Sequence, residues 1–234
     1  MKYSYDLHIH SVLSPCADDL QTPNNIFNMC MLKGLDIVAI TDHNSLKQLS
    51  VFDELKSSYN FLFIYGIEVT VYEDFHVLVY VDTIDKANIL NEYLEPLLDK
   101  NKLETNQFIC DIYDNPYSNY QISLSGKLNL KYMDLLALVR NLDGIMVISH
   151  IDRTLMINNN HYDIFKNIEF DAIEFTKYCN AEIFYNIYPI FKQYKCLINS
   201  DAHSLMDINE SIHFVDLKDL SFESLSNYLR SKNE

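Results

Sequence analysis

Asp6-Leu7-His8-Ile9-His10 closes the first strand-like run of the chain and sets two imidazoles one residue apart. Side chains of an extended strand alternate between faces, so His8 and His10 point the same way and can meet at one ion. Alone, such a pair is a weak signal, because two histidines on one strand face are also ordinary polar residues at a barrel mouth. The deciding question is whether other strand ends bring further ligands to the same place.

They do so along the whole chain. Strand two, Asp36 to Thr41, ends in Asp42-His43-Asn44. Strand three, Phe61 to Tyr65, runs into Gly66-Ile67-Glu68-Val69-Thr70, and strand four, His76 to Val81, opens on a histidine. Gly144 to Ile148 leads into Ser149-His150-Ile151-Asp152, and Cys196 to Asn199 leads into Ser200-Asp201-Ala202-His203. Burying that many polar groups costs roughly a few kcal/mol each unless something pairs them. Neutral imidazole and carboxylate are the ligands that divalent transition metals take.

Helical stretches separate these strands. Thr22-Pro23 reads as an N-cap followed by proline at the first helical position, with Gly34 closing that helix. Further helices are expected over 46–59, 86–100, 131–141 and 181–194. In the second of these, Ile89, Tyr93, Leu94, Leu97 and Leu98 form the apolar side. Asp171 to Phe175 is one more strand, and Ile212 to Leu217 a last one before a closing helix. Near-continuous apolar runs suit parallel strands covered on both faces. Strand–helix alternation leaves two architectures, an open doubly wound sheet or a barrel. An open sheet gathers polar residues at one switch point, whereas a barrel brings every strand end to one mouth. The spread of His10, His43, Glu68, His150 and Asp201 favours an α/β barrel in a single domain over 1–234. Residues 101–130, rich in Asn, Asp and Tyr, are long for a bare connection and predict a short helical insertion or a lid.

The 234 residues are 48% hydrophobic, enough for a full core, with 33 acidic against 18 basic residues and a net charge of -15. That balance predicts repulsion of long polyphosphates, hence a small phosphorylated substrate and no long duplex nucleic acid. Five scattered cysteines argue against a disulfide framework and against a thiolate zinc knuckle. No signal-peptide pattern and no apolar run of ~18 residues is present, so the expectation is a cytoplasmic protein with no membrane partner.

The ordered set Asp6-Leu7-His8-Ile9-His10, Ile40-Thr41-Asp42-His43-Asn44, Gly66-Ile67-Glu68, His76, His150 and Ser200-Asp201-Ala202-His203 resembles the motifs of the PHP (polymerase and histidinol phosphatase) domain family. Within it, the chain is most similar to the stand-alone metal-dependent phosphoesterases. The resemblance implies a distorted (β/α)7 TIM-like barrel with a trinuclear metal centre at the C-terminal ends of the strands. It assigns His8, His10, Glu68 and Asp201 to a first divalent ion, and Glu68, His76 and His150 to a second. Asp18, His43 and His203 would hold the third. Asp18 is preferred over the adjacent Asp19 because it stands four residues before Thr22, although the Ser14-Pro15-Cys16-Ala17 loop is longer than the commonest pattern. The ions could be Mn²⁺, Fe²⁺ or Zn²⁺, since the ligand types suit all three. Such ions activate a water towards phosphorus without a protein nucleophile. Glu68, Asp201, His203 and Arg153 are the implied catalytic residues. Arg153 and Lys177 are candidate phosphate contacts, and Asp42 and Asn44 are expected to orient ligands.

Tyr113, Tyr117, Tyr120 and Gln107 could stack a base but are better read as packing within the insertion. His161, His213 and Cys179 fall outside every motif. The activity expected is a phosphatase for nucleotides, such as nucleoside bisphosphates, or for short oligonucleotide ends. Histidinol-phosphate phosphatase and a non-catalytic regulatory module are the alternatives.

Overall fold

The first strand of the computed structural model, which describes residues 1–233, is β1 (Lys2–Ile9), buried on both faces from Ser4 onward. In chain order follow α1 (Pro23–Leu32), β2 (Ile37–Ile40), α2 (Leu49–Leu55), β3 (Leu62–Thr70), β4 (His76–Val81) and α3 (Ile84–Leu94). Next are β5 (Phe108–Cys110), β6 (Pro116–Asn119), α4 (Tyr132–Asn141), β7 (Ile145–Ile148), α5 (Ile151–Ile157) and α6 (His161–Phe165). The chain finishes with β8 (Ala172–Phe175), α7 (Ala181–Ile187), β9 (Lys195–Ile198), β10 (Phe214–Asp216) and α8 (Phe222–Arg230).

Eight strands form one curled sheet in the order β10-β1-β2-β3-β4-β7-β8-β9, with helices around it. This is an α/β fold of the distorted TIM-like barrel type. The turn after β9 reaches back to the first strand. There Ala202 bridges Ile9 in parallel, the His10 amide donates to Ala202 O (3.0 Å), and the Ala202 amide donates to His8 O (3.2 Å). β10 instead pairs antiparallel with the opposite end of β1, at Lys2 to Ser4.

β4 departs from the all-parallel expectation. It pairs antiparallel with both β3 and β7. Only residues 71–75 separate β3 from β4, too short a connection for the crossover that parallel strands need. The reversal puts His76, the first residue of β4, at the same mouth as the carboxyl ends of the other strands. β3 also runs on to Thr70, so Glu68 lies within a strand. Gly66 lets β2 and β3 approach there: a Cβ at this position would sit 2.8 Å from Ile40 O and 2.6 Å from Thr41 Cγ2.

Two helix readings also change. In α3 the buried side is Ala87, Leu90 and Leu94, while Ile89 and Tyr93 face solvent. For α1, Pro23 sits in the first turn as expected, but Thr22 makes no side-chain cap. Asp114 supplies the cap, accepting from the Asn24 amide (3.0 Å) and the Thr22 hydroxyl (2.8 Å). Asp114 belongs to the 101–130 segment, which folds as the β5–β6 hairpin and contains no helix. Asn44 fastens the far end of that segment, donating to Leu124 O and Gly126 O. No helix among the described residues is long and apolar enough to cross a membrane.

Candidate metal centre

The barrel mouth is built from the strand ends. His8 and His10 come from β1 and the residue after it, and Glu68 from β3. His76 opens β4, and His150 follows β7 as the residue before α5. Asp201 and His203 follow β9, and His43 follows β2. His150 (φ +30°) and Asp201 (φ +52°) both lie in the left-handed region, which turns the chain sharply where a strand stops. Such backbone is uncommon for residues other than glycine and clusters at functional sites.

The ligand atoms converge. His8 Nε2 lies 3.4 Å from Glu68 Oε2 and 3.3 Å from Asp201 Oδ1, and His10 Nε2 is 3.5 Å and 3.3 Å from the same two oxygens. The other side of Glu68 faces His76 Nδ1 at 2.9 Å and His150 Nε2 at 3.1 Å, and His43 Nδ1 is 3.1 Å from Oε2. Five imidazoles thus surround one buried carboxylate.

Hydrogen bonds behind the rings set their tautomers. Ser14 Oγ donates to Asp42 Oδ1 (2.6 Å), so it accepts from His10 Nδ1–H (3.0 Å) and from the His43 amide (3.1 Å). His8 Nδ1–H donates to Glu174 Oε1 (3.0 Å), and His203 Nδ1–H donates to Asp201 O (2.7 Å). With their Nδ1 atoms committed, His8 and His10 turn their Nε2 atoms to each other at 3.2 Å. Two imidazole lone pairs that close repel unless a proton or a metal cation lies between them. The carboxylates decide which groups are charged without an ion. Burial opposes charge on His8, but Glu174, Glu68 and Asp201 hold its pKa well above the usual imidazole range. Burial likewise works against ionised Glu68, and His76, His8 and His43 overcome it, holding the carboxyl well below its ordinary value. Burial and the neighbouring His10 push the pKa of His43 well down. A buried set of imidazole and carboxylate donors, held in shape by a second layer of hydrogen bonds, fits divalent cations.

Several expected site residues are placed differently. Asp18 is exposed, and its Oδ1 accepts from the Leu20 amide (2.9 Å) in its own turn; it joins none of the converging ligand groups. The position facing His10, His43 and His203 is taken by Cys16, which in the sequence is only one of five scattered thiols. Arg153 is at the mouth, donating to Asp201 Oδ2 (3.1 Å), and Lys177 lines the cavity that opens from it. Asp42 orients ligands through Ser14, whereas Asn44 ties down the insertion. Gln107 is fully buried and bonds only within the 101–130 segment, so it contacts no substrate. His161 packs on Phe75 and bonds Glu73 O. The sequence reading missed Ser14 and Asn199, neutral residues whose types carry no spacing signal.

The fold recurs in solved structures. The lesion-specific endonuclease EndoQ of Pyrococcus furiosus superposes with a TM-score of 0.70 at 20% identity, over 98% of this chain and 56% of that one. Endonuclease Q in complex with a 27-mer duplex substrate bearing an abasic lesion gives 0.69 at 20% identity, over 98% and 57%. The chain thus spans little more than half the length of either endonuclease. A Bifidobacterium adolescentis protein assigned provisionally as a metal-dependent phosphoesterase gives 0.56 at 16% identity, over 96% and 95%. An uncharacterised protein of Methanocaldococcus jannaschii is 26% identical over 163 residues, 66% of this chain and 86% of that one. The duplex complex corrects one expectation: a protein of this fold is solved on a 27-mer duplex, so the net charge of this chain is no ground for excluding long duplex nucleic acid. Net charge sums over the whole chain, while binding depends on the local field at a groove. The sequence model of the PHP domain matches residues 6–218, from the histidine-pair strand to just past β10, and the chain accordingly belongs to the PHP domain family.

Proposed function

We propose that this chain, a metal-dependent hydrolase of the PHP domain family, cleaves phosphomonoesters of nucleotides or of short oligonucleotide ends. The observation that carries the reading is a cavity of about 840 Å³ lined by two unlike kinds of side chain. His150, Arg153, Asp201 and His203 of the mouth line it together with the aromatic residues Phe175, Tyr178, Phe184 and Tyr188. A charged mouth beside an aromatic trough matches a phosphate joined to a flat base.

His8, His10, Glu68 and Asp201 would hold one divalent cation, and Glu68 would share its second oxygen with a site formed with His76 and His150. Cations held there would lower the pKa of bound water and offset the charge that builds on a phosphoryl group. Arg153 is half-exposed and steadied on one side by Asp201, which leaves the rest of its planar fork for phosphate oxygens. Lys177, 5.5 Å above the Tyr178 ring, adds a second positive charge next to the aromatic trough. No serine or cysteine nucleophile is needed by such an arrangement.

The test is hydrolysis of an aryl phosphate with Mn²⁺, before and after chelation. It is followed by a screen of nucleoside bisphosphates, mononucleotides, histidinol phosphate, short RNAs and an abasic duplex. Turnover that disappears on chelation and is strongest on nucleotides is expected, with Arg153→Ala raising KM about tenfold or more and leaving metal content intact. Silence with every metal would leave a regulatory metal-binding module, and preference for histidinol phosphate would overturn the nucleotide reading.

A further inference from the structure

We propose that the Cys16 thiol, and not Asp18, completes the third cation site of the mouth together with His43 and His203. The inference rests on the reading of the mouth as a metal centre and adds a ligand of different chemistry to it.

The loop geometry makes Cys16 the presented residue. Ser14 to Ala17 form a β-turn closed by the Ala17 amide on Ser14 O (3.0 Å), and Pro15 presets the turn's first corner. Ser14 is itself locked to Asp42, His10 and the His43 amide, so the turn is fixed to the same residues that shape the site. Cys16 occupies the second corner, where its sulfur and one ring nitrogen each from His10, His43 and His203 all lie within 4.8 Å of one another. His10 Nε2 is already engaged, at 3.2 Å from His8 and 3.3 Å from Asp201. His203 uses Nδ1 on Asp201 O, which leaves Nε2 as its ligand atom.

Asp18 has another task. Its carboxylate closes its own turn on the Leu20 amide, and its backbone amide donates to His203 O (2.8 Å). It tethers the loop to the histidine segment by main chain.

The chemistry differs from that of a carboxylate site. On coordination the thiol gives its proton to solvent, and a sulfur lone pair bonds the cation. Thiolate with imidazole selects Zn²⁺, Fe²⁺ or Co²⁺ over Mn²⁺ and Mg²⁺, which prefer oxygen. The third position should therefore retain zinc when the other two have exchanged to manganese.

The intact chain loaded with Co²⁺ provides the test, read by absorption and by metal mass spectrometry. A sulfur-to-cobalt charge-transfer band in the near ultraviolet is expected for the unmodified protein and for Asp18→Asn. Cys16→Ser should lack the band and lose one cobalt equivalent per chain while keeping its circular dichroism. Cobalt uptake by the unmodified protein without the band would overturn the inference alone. So would loss of the equivalent in Asp18→Asn with Cys16→Ser unaffected. A protein that takes up no cobalt, zinc or manganese would refute the metal-centre reading and this inference with it.

Discussion

Glu174 touches none of the ligand atoms at the middle of the mouth except through others, yet four donors converge on it. His8 Nδ1–H, Ser149 Oγ, the His150 amide and Asn199 Nδ2 lie 2.7–3.0 Å from its two oxygens. It therefore fixes one histidine ring, the strained turn at a second, and the Asn199 side chain that in turn accepts from the Leu7 amide (2.9 Å). Glu174→Gln keeps the volume but removes the charge and replaces one acceptor by a donor facing other donors. Metal affinity should fall roughly 10- to 100-fold, the usual cost of losing such a support, with little change in circular dichroism. Unchanged affinity in a metal titration would mean that His8 is oriented by β1 alone. Proton linkage belongs at this scale too. Glu174 is the first of the carboxylates that hold His8 protonated above its ordinary value of 6.5, and Glu68 does the same for His76. A cation must displace those protons, so apparent affinity should climb as pH rises through and beyond that value. A flat profile from about pH 6 to about pH 8 would contradict the shared position of proton and cation. The histidines that converge at the mouth were legible in the sequence because strand alternation and repeated strand-end clusters expose them. Cys16 was not, because its position depends on a turn built on Pro15 and on Ser14's partners, and a lone cysteine has no spacing to read.

At the level of elements, the direction of β4 decides how the mouth is assembled. A parallel β4 would carry His76 to the opposite end of the barrel from Glu68. The apolar content of the run could not reveal this, since antiparallel and parallel core strands are equally apolar when both faces are covered. The length of the preceding connection could, because residues 71–75 permit a hairpin and no crossover. Gly66 is the second condition at this scale. Its missing side chain lets β3 lie against Ile40 O, and Glu68 projects from the same face two residues on. Gly66→Ala should destabilise the fold by roughly 1–3 kcal/mol, the range for overpacking a tight core, and should shift Glu68 enough to weaken metal uptake. An unchanged denaturation midpoint would show that the strand pair relaxes without loss. The insertion was legible as an interruption only. Its hairpin and its capping of α1 through Asp114 depend on pairing between distant segments, which composition does not encode.

For the molecule as a whole, the alternation of strands and helices and the spread of polar strand ends were sufficient to choose a barrel over an open sheet. Net charge was a poorer guide, because -15 is a sum that includes the buried carboxylates of the mouth itself. Glu68, Glu174, Asp6 and Asp42 all contribute to it and none is exposed.

The return of the chain after β9 to its own first strand has a mechanical consequence. Few backbone hydrogen bonds stitch this seam, among them those of the His10 and Ala202 amides. The same seam carries His8 and His10 on one lip and Asp201 and His203 on the other. A cation shared across it would act as a staple between the first strand and the turn after β9, so its binding energy would also be ring-closing energy. Chelation should therefore quicken amide hydrogen exchange at His10 and Ala202 far more than at Ala39, in the middle of the β2–β3 ladder. Equal protection with and without the ion would mean that the barrel holds itself shut.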